Sequence, residues 1–315
     1  MYGHEVFGPR IQDYFSNAAL VLMEQPDGGT MTEIVRMFTD PAFQKVKLQH
    51  VTNPVVRNRW EKTYASMGER EKGEMIPFFQ AKFGPFITNS MIRNIIGQPK
   101  SSFDVSEAMQ QNKVILVNLS KGLLGEFNSQ LLGRMMVTQV KIAALRRAGM
   151  PEHERVPFFL YIDEMQNYVS KSIESVLSEA RKYKLGMIMA HQYIDQLKQS
   201  NLGGNSDLSQ AIFGNVGNIL SYRVGPTDAE FLEKQFSPVF SQQDLMNLDQ
   251  FKCCFKMEVD GQSIAPFSMN SIKHFQEYQT LNTPEKVAIM KQISALKRGR
   301  KRDLVEKEIY YRVGV

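Results

Sequence analysis

The run Phe158-Phe159-Leu160-Tyr161-Ile162-Asp163-Glu164 is an apolar strand closed by two carboxylates. In an open α/β sheet the carboxyl ends of the strands form the edge where ligands bind, so the acid pair falls where chemistry is expected. In a nucleotide hydrolase Asp163 would hold magnesium, usually through water, and Glu164 would polarise the water that attacks the γ-phosphate. A polar strand terminus with no further role is the plain alternative.

The next strand favours the first reading. Leu185-Gly186-Met187-Ile188-Met189-Ala190-His191-Gln192 lies about one α/β unit later and also ends in a polar residue, so Gln192 is expected beside the acid pair. A glutamine there can hydrogen-bond a γ-phosphate or the attacking water and report its loss; standing alone it would read as a helix cap or a surface amide. Ser178-Glu179-Ala180-Arg181-Lys182-Tyr183 precedes that strand, and Arg181 is expected to leave the sheet near the same edge. It is a candidate arginine finger, a guanidinium that neutralises transition-state charge in a neighbouring subunit. The alternative is a helix end that favours cations through its dipole.

Outward from these two strands the layering continues. Val114-Ile115-Leu116-Val117 reads as an earlier strand, followed by Ser120-Lys121-Gly122 and a long helix from about Glu126 to Arg147. Asn218 to Val224 reads as a later strand, followed by a helix from about Thr227-Asp228. Strands separated by helices imply parallel pairing. Phe251 to Val259 and Gln262 to Met269 bracket Asp260-Gly261, a two-residue hairpin signal, so an antiparallel edge is expected.

Upstream the periodicity is helical. Ile11, Tyr14, Phe15, Ala18, Ala19 and Leu22 recur at three and four residues. Asp40-Pro41 and Asn53-Pro54 supply capping side chains with proline in the first turn. Phe38, Trp60, Tyr64, Phe79 and Phe83 would fill the core of a small bundle. The expected organisation is an all-α subdomain over 1–99, an α/β part over 100–272 and a helical basic tail over 273–315. In the tail, Lys297, Arg298, Arg300, Lys301 and Arg302 form a cluster that could touch nucleic-acid phosphates by charge alone, or be a solvated end.

A length of 315 residues, 43 % hydrophobic and 23 % charged, is ordinary for a folded protein and excludes disorder as the default. The net charge of +5 permits an acidic partner without requiring one. The two cysteines, Cys253 and Cys254, are adjacent in an apolar run and read as reduced strand residues. No apolar run reaches the roughly 18 to 20 residues needed to span a bilayer, and Met1 to Arg10 has no leader pattern. The expectation is a chain without membrane contact of its own.

Several phrases together resemble a known family. Leu119-Ser120-Lys121-Gly122 with Gly125, Leu160 to Gln166, Ser178 to Tyr183, Ala190-His191-Gln192-Tyr193, Phe213 to Gly217, and Tyr222-Arg223-Val224-Gly225 with Asp228-Ala229 look like TraG/TraD-like conjugative coupling proteins. These are type IV secretion DNA-transfer ATPases, close to the HerA/FtsK hexameric pumps. The resemblance implies a RecA-like P-loop NTPase core, mainly parallel with an antiparallel edge hairpin, carrying an inserted all-α subdomain. It implies a homohexameric ring that moves DNA using ATP and Mg2+, with relaxase or secretion-channel proteins as further partners. Its place would be cytoplasmic, at the inner face of the membrane in the complete protein. Asp163 and Glu164 then match the Walker B acids, Gln192 the sensor, Arg181 the arginine finger and Arg223 a second arginine of the last strands.

One element departs from the pattern. The sequence contains no Gly-x-x-x-x-Gly-Lys-[Ser/Thr], and in Lys121-Gly122-Leu123-Leu124-Gly125 the lysine precedes the glycines. Truncation upstream of the helical insertion is the simplest expectation, and this chain alone should then be inactive. Two other classes stay open: a non-catalytic ring subunit or adaptor, and a metal nuclease built on Asp163 and Glu179. The nuclease would need Glu-x-Lys on a strand, whereas Glu179-Ala180-Arg181 ends a predicted helix.

Overall fold

The computed structural model describes residues 8–169, 173–198, 208–271, 278 and 283–315. Two compact units emerge. One gathers Val105–Ile289, and the other joins the residues up to Asp104 to Met290–Val315.

The second unit is all helical. Asp40 accepts the Phe43 amide at 3.0 Å to cap the Pro41–Leu48 helix, and Asn53 accepts Val55 at 3.0 Å to cap Pro54–Asn58. These are the Asx-Pro starts read from the sequence. Pro9–Met23 turns Tyr14, Ala18, Val21 and Leu22 inward, while Phe38, Trp60 and Phe79 meet with ring centroids 5.2 and 4.9 Å from Phe38. Such offset, tilted pairs add to the burial that drives the collapse. Chain-terminal Arg302–Val313 also belongs here, with Val305 and Ile309 buried.

The basic cluster ahead of that helix is engaged within the unit. Arg298 donates to the Ser102 carbonyl, Arg300 to Glu308 at 2.7 Å and Arg302 to Glu306 at 2.8 Å. The arginines thus already meet intramolecular acceptors. The helix Pro284–Arg298 presents Leu296 at 84 % exposure and buries none of its residues.

The first unit holds the sheet structure. Strand β1 (Phe158–Ile162) pairs in parallel with β2 (Leu185–Met189), in a register that sets Phe158 opposite Leu185 and Ile162 opposite Met189. Phe158, Leu160 and Ile162 pack with Val140, Ala143 and Ala144 of the Glu126–Arg146 helix, while Phe159 and Tyr161 on the other face are 59 % and 73 % exposed. This is the two-residue alternation of a half-covered strand. Gly186, opposite Phe159, gives the ring its place: a Cβ there would lie 2.5 Å from Phe159 Cδ1.

Strands β3 (Ile219–Ser221), β4 (Lys252–Lys256) and β7 (Phe267–Asn270) form an antiparallel sheet in the order β3-β4-β7. The short β5 (Glu258–Val259) and β6 (Gln262–Ser263) make the expected hairpin, with Asp260 at φ 52° and Gly261 at φ 78°. Both signs of φ match a type I′ turn. Adjacent strand residues face opposite sides, yet Cys253 and Cys254 are both fully buried free thiols, and burial pushes both thiols up, away from the reactive thiolate.

One expected strand is absent. Val114 to Val117 is in no ladder, and Val114 and Leu116 are 84 % and 82 % exposed. Apolar β-branched residues favour an extended chain, but a strand exists only where a neighbour takes its N–H and C=O groups. Among the described residues none does.

Candidate functional site

The site forms where β1 ends. Parallel pairing continues past the strands through Ala190 N–H to the Ile162 carbonyl and Met165 N–H to the Ala190 carbonyl, both 2.9 Å. The chain after Ile162 is therefore tied to the chain before Gln192. Glu164 adopts a left-handed conformation, φ 50° and ψ 48°, which turns the main chain sharply into the Met165–Asn167 turn. A non-glycine residue in that region is uncommon and marks a backbone held by its surroundings.

The Glu164 carboxylate is gripped on both oxygens. Gln192 Nε2 donates to Oε1 at 2.6 Å and Gln166 Nε2 donates to Oε2 at 2.6 Å. Short bonds from neutral amides to a carboxylate are charge-assisted and fix its plane. Asp163 beside it is exposed, with Oδ1 accepting the Glu164 amide at 3.0 Å. A magnesium ion keeps several waters and takes one or two protein carboxylates along with substrate phosphates. An exposed lone carboxylate such as Asp163 fits that demand, and the described residues hold no cluster of three or more ligating side chains that would favour a caged metal.

Gln192 thus stands beside the acid pair, as its sequence position predicts. Arg181 does not. It lies in the Ala180–Tyr183 turn ahead of β2, and Phe158 N–H bonds the Lys184 carbonyl at 2.9 Å, so Arg181 sits at the amino end of the strands. A five-residue strand spans about 17 Å, which separates this exposed guanidinium from the carboxyl edge. The expectation that Arg181 leaves the sheet near the acids is corrected by strand direction. Arg223 is exposed on the link between β3 and the Pro226–Phe236 helix. Glu179 closes the Glu174–Glu179 helix and bonds Tyr183, so it does not join Asp163.

Asn167 and Arg134, which sequence reasoning did not single out, support the turn from behind together with Lys121. Asn167, buried, donates both its main-chain N–H and its Nδ2 to the Glu164 carbonyl, at 3.0 and 3.2 Å. Arg134 Nε reaches the Asn167 carbonyl at 3.2 Å, and burial pushes this guanidinium below the usual arginine range. Lys121 Nζ meets Asn167 Oδ1 and Glu126 Oε1, each at 3.3 Å. Burial likewise lowers His191 below the ordinary histidine value, against the Tyr193 backbone and the carboxylates of Asp228 and Glu164, which favour the cation. Next to Gln192, Tyr193 borders a hollow of about 370 Å3 shared with Gln196 and Thr227.

Gly133 on the Glu126–Arg146 helix seats this turn. A Cβ there would fall 2.2 Å from Tyr168 Cδ1 and 2.9 Å from Leu119 Cδ1. Alanine would gain about 1 kcal/mol of helix propensity, but overpacking a closed contact costs about 1–3 kcal/mol. At 2.2 Å the ring itself must move, so the second effect wins. Gly133→Ala is expected to lower stability by about 1–2 kcal/mol, read as a shift in the urea midpoint of the unit; an unchanged or raised midpoint would refute the seating role.

A parallel strand pair thus carries the acid pair and the amide at its carboxyl edge within an α/β unit. Residues 157–250 match the family described as the TraM recognition site of TraD and TraG. No curated protein matches the sequence. Among solved structures, the unbound monoclinic form of the bacterial conjugative coupling protein TrwBΔN70 aligns with TM-score 0.54 and 13 % identity, covering 86 % of this chain and 70 % of that one. Plasmid coupling protein TrwB with the non-hydrolysable ATP analogue ADPNP gives TM-score 0.51 and 13 % identity, over 86 % and 70 % of the two chains. The same protein with the GTP analogue GDPNP gives 0.50 and 12 %, over 86 % and 71 %. Over residues 157–250 the chain is thus similar to the TraD and TraG family, and its fold is similar to that of the conjugative coupling protein TrwB.

Proposed function

We propose that this chain forms the acid, sensor and arginine portion of an ATP-driven DNA translocase of the coupling-protein type. The observation that carries the reading is the Glu164 carboxylate, held on both oxygens by Gln166 and Gln192 at the carboxyl edge of a parallel pair. A carboxylate fixed in this way can accept hydrogen-bond character from a water without rotating, which is the preorganisation a hydrolytic step needs. When ATP is bound with Mg2+, the metal would neutralise charge on the phosphates, with Asp163 as its protein carboxylate. Gln192 has a second amide hydrogen with which to sense a phosphate while still holding Glu164.

Homohexameric assembly gives the exposed Arg181 a use that its own Glu164 cannot offer. At the amino end of β2 it would face a neighbouring protomer, and Arg223 would act from the β3 link. DNA is the proposed cargo. The 157–250 segment is the proposed contact for a TraM-type partner, since the matching family is named for that recognition. Relaxase and channel proteins are further proposed partners, at the inner face of the membrane. Among the described residues no helix is long and apolar enough to cross it. With its arginines already bonded within the all-α unit, the Lys297 to Arg302 stretch is a secondary candidate for DNA contact.

The test is hydrolysis of ATP by the full-length protein with and without DNA, beside the 315-residue chain alone. DNA-stimulated turnover by the first and none by the second is expected, because the chain lacks a phosphate-binding loop motif. Nucleotide binding without turnover in the full-length protein would favour the non-catalytic ring subunit.

A further inference from the structure

We propose that Asn167 is a positioning residue for Glu164, and that Lys121 sets the orientation in which the Asn167 amide does this. The inference rests on the reading of Glu164 as the group that polarises the attacking water. A left-handed Glu164 is disfavoured by its own Cβ, so the turn must be imposed by its neighbours. Its carbonyl takes two donors from one residue, the N–H and Nδ2 of Asn167. Asn167 is in turn fixed through its own carbonyl by Arg134 and through Oδ1 by Lys121. The peptide that carries the Glu164 side chain is thereby anchored to the Glu126–Arg146 helix and to the short Lys121–Leu124 helix.

The two ends of an asparagine amide are nearly the same shape, so its orientation follows from its partners. A lysine ammonium only donates and a peptide carbonyl only accepts. Lys121 therefore demands the amide oxygen, which leaves the NH2 facing the Glu164 carbonyl. In the flipped state NH2 would oppose the ammonium and oxygen would oppose oxygen. This gives the Ser120-Lys121-Gly122 stretch a role that does not require it to cradle phosphate.

The experiment measures kcat and KM for DNA-stimulated ATP hydrolysis by the full-length protein. Asn167→Asp replaces the donor with a second acceptor facing the Glu164 carbonyl, and kcat is expected to fall at least tenfold, with KM within about threefold of wild type; misplacement by about 1 Å can cost a hundredfold. Lys121→Met should lower kcat in the same direction by a smaller factor, and Lys121→Arg, which also only donates, should restore it. Lys121 is half exposed, so its variants carry the test if the Asn167 variant does not fold. A raised KM with unchanged kcat would make Asn167 a nucleotide contact and overturn the proposal. Wild-type kcat in Asn167→Asp and Lys121→Met, alongside an inactive Glu164→Gln, would overturn it while leaving the Glu164 reading intact. An active Glu164→Gln would sink both.

Discussion

Glu164→Gln is expected to reduce ATP turnover by the full-length protein at least a hundredfold while leaving nucleotide affinity within a few-fold of wild type. General-base assistance is worth about 10²- to 10⁴-fold, and the charge that supplies it is lost in the amide. The local geometry adds a second effect. Gln166 and Gln192 each point an NH2 group at one carboxylate oxygen, 2.6 Å away. A glutamine at 164 has one oxygen and one NH2, so one of the two contacts becomes donor against donor. Gln192, which is exposed, is the partner free to rotate its amide and relieve this. The variant should therefore hold Gln192 in the flipped orientation, through its oxygen, and so lose the Gln192 NH2 contact as well as its charge. Affinity is spared because Glu164 is not placed to hold phosphates; Asp163→Asn is the contrasting variant, expected to weaken binding of the magnesium-nucleotide. Single-turnover hydrolysis and equilibrium binding of a fluorescent nucleotide separate these outcomes. Turnover at the wild-type rate in Glu164→Gln would remove the basis for the proposed function.

Why that site was legible in sequence, and why its surroundings were not, has a physical reason. Phe158 to Glu164 and Leu185 to Gln192 are read correctly because each strand is a local apolar run and its end leaves a local polar mark. Gln192 lands beside Glu164 because parallel neighbours in register end together. Arg181 fails on the same logic: it precedes β2, and the direction of the strand sends it to the other end. Val114 to Val117 has the composition of a strand, but pairing is a property of two segments and no local pattern guarantees the second. Asn167, Arg134 and Lys121 come together across 33 to 46 residues of chain through single hydrogen bonds, which leave no periodic trace. The glycines are intermediate. Gly186 and Gly133 are visible as glycines, but only the rings of Phe159 and Tyr168 explain them.

The tail offers the largest expected effect on stability. Its charge made it look like a solvated basic end, yet Arg312 near its terminus is 8 % exposed. The guanidinium donates to the Gly28 carbonyl at 2.9 Å and the Asp27 carbonyl at 3.2 Å, and it pairs with Glu33 at 3.3 Å and Asp27 at 3.0 Å. Glu33 is 1 % exposed and closes a capping box with Thr30, with Lys47 at 3.4 Å as its other cation. Breaking a buried pair by removing one partner costs about 3–5 kcal/mol, because the charge left behind has no water to turn to. Arg312→Met keeps most of the side-chain volume and leaves Lys47 and Thr30 on Glu33, so a loss of about 3 kcal/mol, at the low end of that range, is expected. Two carbonyls also lose a donor, which argues against a smaller value. Trp60 is the single tryptophan, and it is buried in this same all-α unit, so its fluorescence during urea unfolding reports on this unit. Adding Glu33→Gln to Arg312→Met should recover part of the loss by removing the uncompensated charge. A midpoint shift corresponding to less than about 1 kcal/mol, the range of exposed ion pairs, would mean that Arg312 is a surface contact and that the helix is held by its other contacts, Val305, Ile309 and the Arg36 and Asn94 hydrogen bonds among them.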